Sequence, residues 1–297
     1  MNSLFASFAS FMWGPWLLGL LLGTGFWLTI RLRGIQLRSL FYALRLVFSK
    51  ELKGEGDISH FGSLMAALAS TVGIGNIAGV STAVALGGPG AIFWMWVTGL
   101  VGMATKYSEG FLAVKFRRIN DKGEISGGPM YYLEEGLKKK WLGICFAAFG
   151  ACAAFGIGNM VQANTTAIAV SETTGFGSFS VGLFLAILTG LVVIGGIKRI
   201  ADVASYLVPF MVALYFAGAL IVILNHIDQL GSGLKLVFEH AFTGTAATGG
   251  FAGATLANCI RYGVARGLFS NESGMGSAPI VAAAARTNHP GKQALVS

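Results

Sequence analysis

The chain has 297 residues, of which 54% are hydrophobic and only 11% charged, and its mean hydropathy is +0.68. Soluble domains carry about 25% charged residues, so an ordinary soluble fold is excluded. The 43 glycines are about twice the usual share of about 7%. Without a proline-rich or repetitive context they point to close-packed or interrupted membrane helices rather than disorder. The formal charge of +8 would suit nucleic acid, but its distribution does not. No charged residue lies between Met1 and Ile30 or between Trp141 and Ser171, and the basic residues gather between apolar runs, as in cytoplasmic loops.

A spanning helix needs about 20 mostly apolar residues. In chain order, residues 13–31 supply the first candidate. It is too long for a signal peptide and lacks a basic leader region. Residues 35–49 place Leu37, Leu40, Phe41, Leu44, Val47 and Phe48 at helical spacing, with Arg38 and Arg45 on another face. That pattern fits an interfacial helix on the inner leaflet, with a linker helix as the alternative. Residues 58–105 hold no Asp, Glu, Lys or Arg. They suffice for two spans, divided at Gly87-Gly88-Pro89-Gly90.

Further spans are expected at 141–168, 179–197, 202–225 and 241–266, which makes seven. Alternate loops hold Arg31, Arg33, Arg38, Arg45, Lys50 and Lys53, then Lys115, Arg117, Arg118, Lys122 and Lys138 to Lys140, then Lys198 and Arg199. The opposite set holds Lys235. The positive-inside rule therefore expects the N-terminus outside. Cys145, Cys152 and Cys259 lie inside apolar runs without metal-ligand spacing and read as packing residues.

Two stretches break the apolar pattern near mid-span. Thr71-Val72-Gly73-Ile74-Gly75-Asn76-Ile77-Ala78-Gly79 and Ala246 to Thr255 each contain Gly-x-apolar-Ala-Gly, at Gly75 to Gly79 and at Gly249 to Gly253. Four spans separate them, so they run in opposite directions. Two readings fit. In one, each is a discontinuous helix, whose freed amides bind a carboxylate while its carbonyls coordinate a small cation. In the other, both are small-residue contacts between continuous helices. Asn76 favours the first, because an amide oxygen suits Na⁺.

Gln162 lies in a polar cluster with Asn159, Asn164, Thr165 and Thr166. It reads equally as a ligand contact or as an interhelical hydrogen bond. Lys106 and Glu109, three apart, read as a helical pair. No nucleophile elbow, phosphate loop or His-Glu metal motif occurs, which argues against an enzyme.

Three segments carry a resemblance. They are Gly62-Ser63-Leu64-Met65-Ala66-Ala67-Leu68-Ala69 running into Val72 to Val80, then Gly87 to Trp96 with Ala104-Thr105-Lys106-Tyr107, and Ile260 to Glu272. Together they resemble the alanine/glycine:cation symporter family. The resemblance implies an all-α polytopic membrane protein of the LeuT-type inverted-repeat fold. On that reading residues 1–34 form an extra N-terminal helix and 35–56 the interfacial helix. Residues 57–226 form the first five-helix repeat, and 227–297 begin the second.

It also implies symport of alanine or glycine with Na⁺, less often H⁺, in a bacterial-type inner membrane, with no cofactor and no nucleic acid. Substrate would sit against Gly75, Asn76 and Gly250, with Phe251 as a gate and Gln162 lining the pocket. Na⁺ would be held by Asn76 and carbonyls near Thr71. Family members have about eleven spans, so the expectation is a symporter truncated after about seven. The alternative is a non-transporting membrane protein that acts as a partner or scaffold.

Overall fold

The computed structural model describes residues 7–8, 11–49, 54–121, 123–156, 158–243 and 255–297. The described chain is helical apart from one short hairpin. Helices α1 (Pro15–Arg31), α2 (Ile35–Arg38), α3 (Leu40–Val47), α4 (His60–Thr71), α5 (Ile74–Gly87) and α6 (Ala91–Lys115) come first. Strands β1 (Arg118–Ile119) and β2 (Ile125–Ser126) follow and pair antiparallel. Then come α7 (Pro129–Glu135), α8 (Lys140–Ala154), α9 (Met160–Thr174), α10 (Ser178–Val193) and α11 (Gly196–Asn225). Helices α12 (Ile227–Thr243), α13 (Leu256–Asn271), α14 (Ala278–Ala283) and α15 (Pro290–Val296) complete the chain.

Two compact units result. The first comprises Met1–Leu40, Gly75–Ser108 and Val212–Met275. Its core is Leu18 with Val264 and Leu268, against which Trp13, Leu21, Trp94 and Ile260 pack. Glycine sets how closely its helices approach. Cys259, Gly263 and Gly267 recur every four residues along α13 and form one buried stripe. A Cβ on Gly263 would lie 2.5 Å from the Ala91 carbonyl oxygen, and one on Gly267 1.9 Å from Thr98 Oγ1. Gly90 approaches the backbone of His240 and Ala241 equally closely. There the Trp94 indole donates to the Ala241 carbonyl at 3.0 Å, and Phe93, Trp94 and Phe242 stack edge to face.

The second unit comprises Phe41–Ile74, Glu109–Met211 and Gly276–Ser297. Buried clusters join Met65 with Ala204 and Val208, Ile58 with Ala201 and Ala284, and Leu46 with Val47 and Val296. A buried polar chain ties α4 to α15: Gln293 accepts from His60 Nδ1 at 2.7 Å and donates to Ser63 Oγ at 2.8 Å. Arg117 gathers the carbonyls of Ala283, Ala285 and Glu55 at 3.0, 2.8 and 2.7 Å. Asp57 accepts from the Ile125 amide at 2.8 Å and faces Lys198 at 3.4 Å, which secures the hairpin.

The division at Gly87 to Gly90 holds: α5 ends at Gly87 and α6 starts at Ala91, with Gly88 at φ +79 in the turn. The seven-span LeuT-type expectation needs correction. Among the described residues one helix, Gly196–Asn225, is long and apolar enough to cross a membrane. The count becomes two if His60–Thr71 and Ile74–Gly87 form one broken span.

The physical reason is interruption. The apolar run 141–168 folds as two helices of 15 residues each, parted near Gly158 at φ +88. A helix of 15 residues rises about 22 Å, short of a hydrocarbon core of about 30 Å. Residues 35–49 likewise form two short helices, parted at Ser39 with φ −107. Many large apolar side chains on α10 and α11 are exposed, as lipid-facing surfaces are.

Candidate functional site

The first break is present in the backbone. Helix α4 ends at Thr71, Val72 turns extended (φ −99, ψ 106), and α5 begins at Ile74. The extended residue is Val72, whose amide caps α4 by donating to the Leu68 carbonyl, and Gly73 and Gly75 flank Ile74. A Cβ on Gly73 or on Gly75 would meet nothing within 4 Å, so the backbone here is open to approach. A helix end leaves its last carbonyls without intrahelical partners, and a helix start leaves its first amides so. The interruption thus exposes both kinds of group within a few residues.

Thr71 closes α4, and its hydroxyl donates back to the Ala67 carbonyl at 3.1 Å. That occupies the hydroxyl proton and leaves the hydroxyl lone pairs, with the helix-end carbonyls, as the oxygens on offer.

Asn76 sits in the first turn of α5. Its Oδ1 accepts a hydrogen bond from Ser270 Oγ at 3.1 Å, within the first unit. The bond leaves that oxygen a second lone pair. Ser270 had no role in the sequence reading. It stands in the run Ile260 to Glu272 that carried the resemblance, and that run was the available signal. Gly79, one turn further, faces the Arg266 side chain at 4.0 Å.

Gln162 lies in the second unit, in the first turn of α9, which Asn159 caps by accepting from the Met160 amide at 2.6 Å. The Gln162 amide oxygen is buried and accepts no hydrogen bond from the described residues. Gly250 and Phe251 lie outside the described residues, as does the whole second glycine stretch from Gly249 to Gly253. Glu109 is buried and accepts from the Gly276 amide at 3.2 Å. Burial, and then the charge of Glu109, pushes the Tyr132 phenol above its ordinary value of 10.0. Burial also lowers the Arg117 guanidinium, against the opposing pull of Glu55 and Asp57.

All of residues 1–297 match the model of the sodium:alanine symporter family. The chain belongs to this family. It is similar to the sodium/alanine symporter AgcS of Methanococcus maripaludis, at 54% identity over 97% of the chain and 64% of that relative. An uncharacterized transporter of Haemophilus influenzae is 49% identical over 100% of the chain and 65% of its own length. The probable sodium/glutamine symporter GlnT of Bacillus subtilis is 41% identical over 96% of the chain and 59% of its own length.

The chain therefore spans just under two thirds of the curated relatives it matches. The family is one of membrane transporters, which is where the composition had pointed. The expected LeuT-type fold truncated after about seven helices is not supported: the family model matches residues 1–297, and among the described residues one helix, or two with the bent pair, is long and apolar enough to cross a membrane.

Proposed function

We propose that this protein works in sodium-coupled symport of a small neutral amino acid, with alanine as the first substrate and glycine as a close second. The observation that carries the reading is the interruption between Thr71 and Ile74, in a chain that matches the symporter family throughout. Exposed helix-end carbonyls and an amide oxygen suit a small hard cation, and freed amides at the start of α5 suit a carboxylate.

On this reading Asn76 and the carbonyls near Thr71 hold Na⁺, and Gly75 lets the substrate carboxylate reach the α5 amides without a Cβ in the way. Gln162 contributes a polar contact to the substrate, a role supported by its buried, unsatisfied oxygen. Such an atom costs about 1–3 kcal/mol until it gains a partner. Gly250 and Phe251 complete the pocket and its gate. A relative named as a putative sodium/proton-dependent alanine carrier keeps H⁺ as the second candidate coupling ion. The setting is a bacterial-type inner membrane, with the N-terminus outside, residues 1–34 holding an N-terminal membrane helix and residues 35–56 at the inner interface.

The test is uptake of radiolabelled alanine into liposomes carrying the native polypeptide as its gene encodes it. Accumulation should require an inward Na⁺ gradient and vanish when the gradient is collapsed. Asn76→Ala should raise the Na⁺ concentration for half-maximal uptake by about tenfold, the equivalent of about 1.4 kcal/mol. An unchanged Na⁺ dependence removes Asn76 from the cation site. Uptake no faster than in protein-free liposomes refutes the function.

A further inference from the structure

We infer that Ser270 is a positioning residue for the cation site: it holds the Asn76 amide on α5 and so sets the affinity for Na⁺. The inference rests on the proposal above that Asn76 binds the cation. Both residues belong to the first unit, and within it α5 lies along α13 at matched spacing. Ser270 Oγ donates to Asn76 Oδ1 at 3.1 Å. A Cβ on Gly79 would lie 4.0 Å from Arg266 Cδ, and one on Gly87 3.3 Å from Cys259 Cα. Positions rise along α5 as they fall along α13, by the same number of residues from the first contact to the last. The two helices therefore run in opposite directions, with Gly79, Ala83 and Gly87 as the buried stripe of α5.

Ser270 is itself held. Gly267, one turn before it, sits so close to α6 that a Cβ there would lie 1.9 Å from Thr98 Oγ1, and Thr98 is buried. The serine thus stands on backbone seated firmly against its neighbour. Its choice of acceptor is a second sign. A helical serine or threonine can donate to a carbonyl one turn back on its own helix, as Ser81, Thr82, Ser108 and Ser205 do here. Ser270 sends its proton across to α5 instead.

An asparagine amide turns about a broad, roughly twofold torsion, so a free one must be ordered when the ion arrives. The Ser270 hydrogen bond orders it beforehand and leaves Oδ1 a second lone pair for the ion. Both residues are half-buried, which keeps Asn76 within reach of ions from solution.

The experiment is thermal unfolding of the detergent-purified native polypeptide, titrated with NaCl against choline chloride at constant ionic strength. An ion that binds the folded state raises the melting temperature once its concentration exceeds Kd, and the Na⁺ Kd is fitted from that rise. Ser270→Ala should raise this Kd about fivefold, the worth of one neutral hydrogen bond. Ser270→Thr, which keeps the hydroxyl, should restore it. In Asn76→Ala, removing Ser270 as well should add nothing. A serine with a structural role alone lowers the melting temperature in choline and leaves the Na⁺ Kd in place, and that result overturns the inference. So does a further shift in the double variant. If Ser270→Ala does not fold, Ser270→Cys keeps the shape, weakens the donor and is read in the same way. An Asn76→Ala Kd equal to the parent's removes the cation reading itself, whereas a shifted Asn76→Ala beside an unshifted Ser270→Ala refutes this inference alone.

Discussion

Replacing Gly263 by alanine sets a methyl group 2.5 Å from the Ala91 carbonyl oxygen and 2.7 Å from Trp94 Cβ. Ordinary contact begins at 3.4 Å, so α13 and α6 must separate locally by about 0.9 Å, and the closest obstacle is backbone that no side-chain rotation can move aside. Overpacking of this kind costs about 1–3 kcal/mol. The control is Gly218→Ala in the interior of α11, where a Cβ meets nothing within 4 Å. There alanine removes only the flexibility of glycine and should gain about 0.5–1 kcal/mol. The same substitution in the same unit thus carries opposite signs. Thermal unfolding in detergent, followed by tryptophan fluorescence, measures both, and Trp94 lies at the affected contact. Gly263→Ala must melt below the parent and Gly218→Ala at or above it. If Gly263→Ala melts as high as Gly218→Ala, the close approach of α13 to α6 is not what the glycine is for.

Arg117→Ala should lower the stability of the second unit by about 2–3 kcal/mol, because charged hydrogen bonds to the carbonyls of Ala283, Ala285 and Glu55 disappear together. Arg117→Lys should recover only part of this in the same melting assay, since a point charge cannot serve carbonyls spread across a planar fork; full recovery would contradict the geometry. The Tyr132 phenol makes stability pH-dependent at the alkaline end. Its folded value lies above 10.0, so its contribution is complete below pH 10, where both states keep the proton. As pH rises past 10 the unfolded chain loses the proton first, and stability falls until the folded phenol also ionises. Melting temperatures taken from pH 8 to 11 should therefore fall less steeply above pH 10 in Tyr132→Phe than in the parent.

Composition and punctuation made several features legible. Sparse charge against abundant glycine pointed to a membrane protein, and Gly87-Gly88-Pro89-Gly90 marked a helix boundary because glycine and proline end helices by local geometry alone. The interruption after Thr71 was equally readable, since two glycines flanking Ile74 lower the cost of leaving the helix. Span counting was not readable in the same way. Hydropathy sums over the run 141–168 without registering that Gly158 adopts a positive φ, and it saw one helix where there are two. Small-residue contacts occur elsewhere, along Cys259, Gly263 and Gly267 on α13.

Sequence by itself determined the solvent this chain is built for, the family it belongs to and two of the points where its helices end, after Thr71 and at Gly87. Each of these depends on composition or on neighbours within a few residues. Tertiary structure alone decided which side chains meet across the chain: Ser270 on the oxygen of Asn76, Gln293 between His60 and Ser63, and Arg117 on the carbonyls of Ala283, Ala285 and Glu55. Those partners are separated by more than 160 residues in every case but Glu55. No local pattern encodes such a pairing, because it exists only once packing has brought distant helices to the distance of a hydrogen bond.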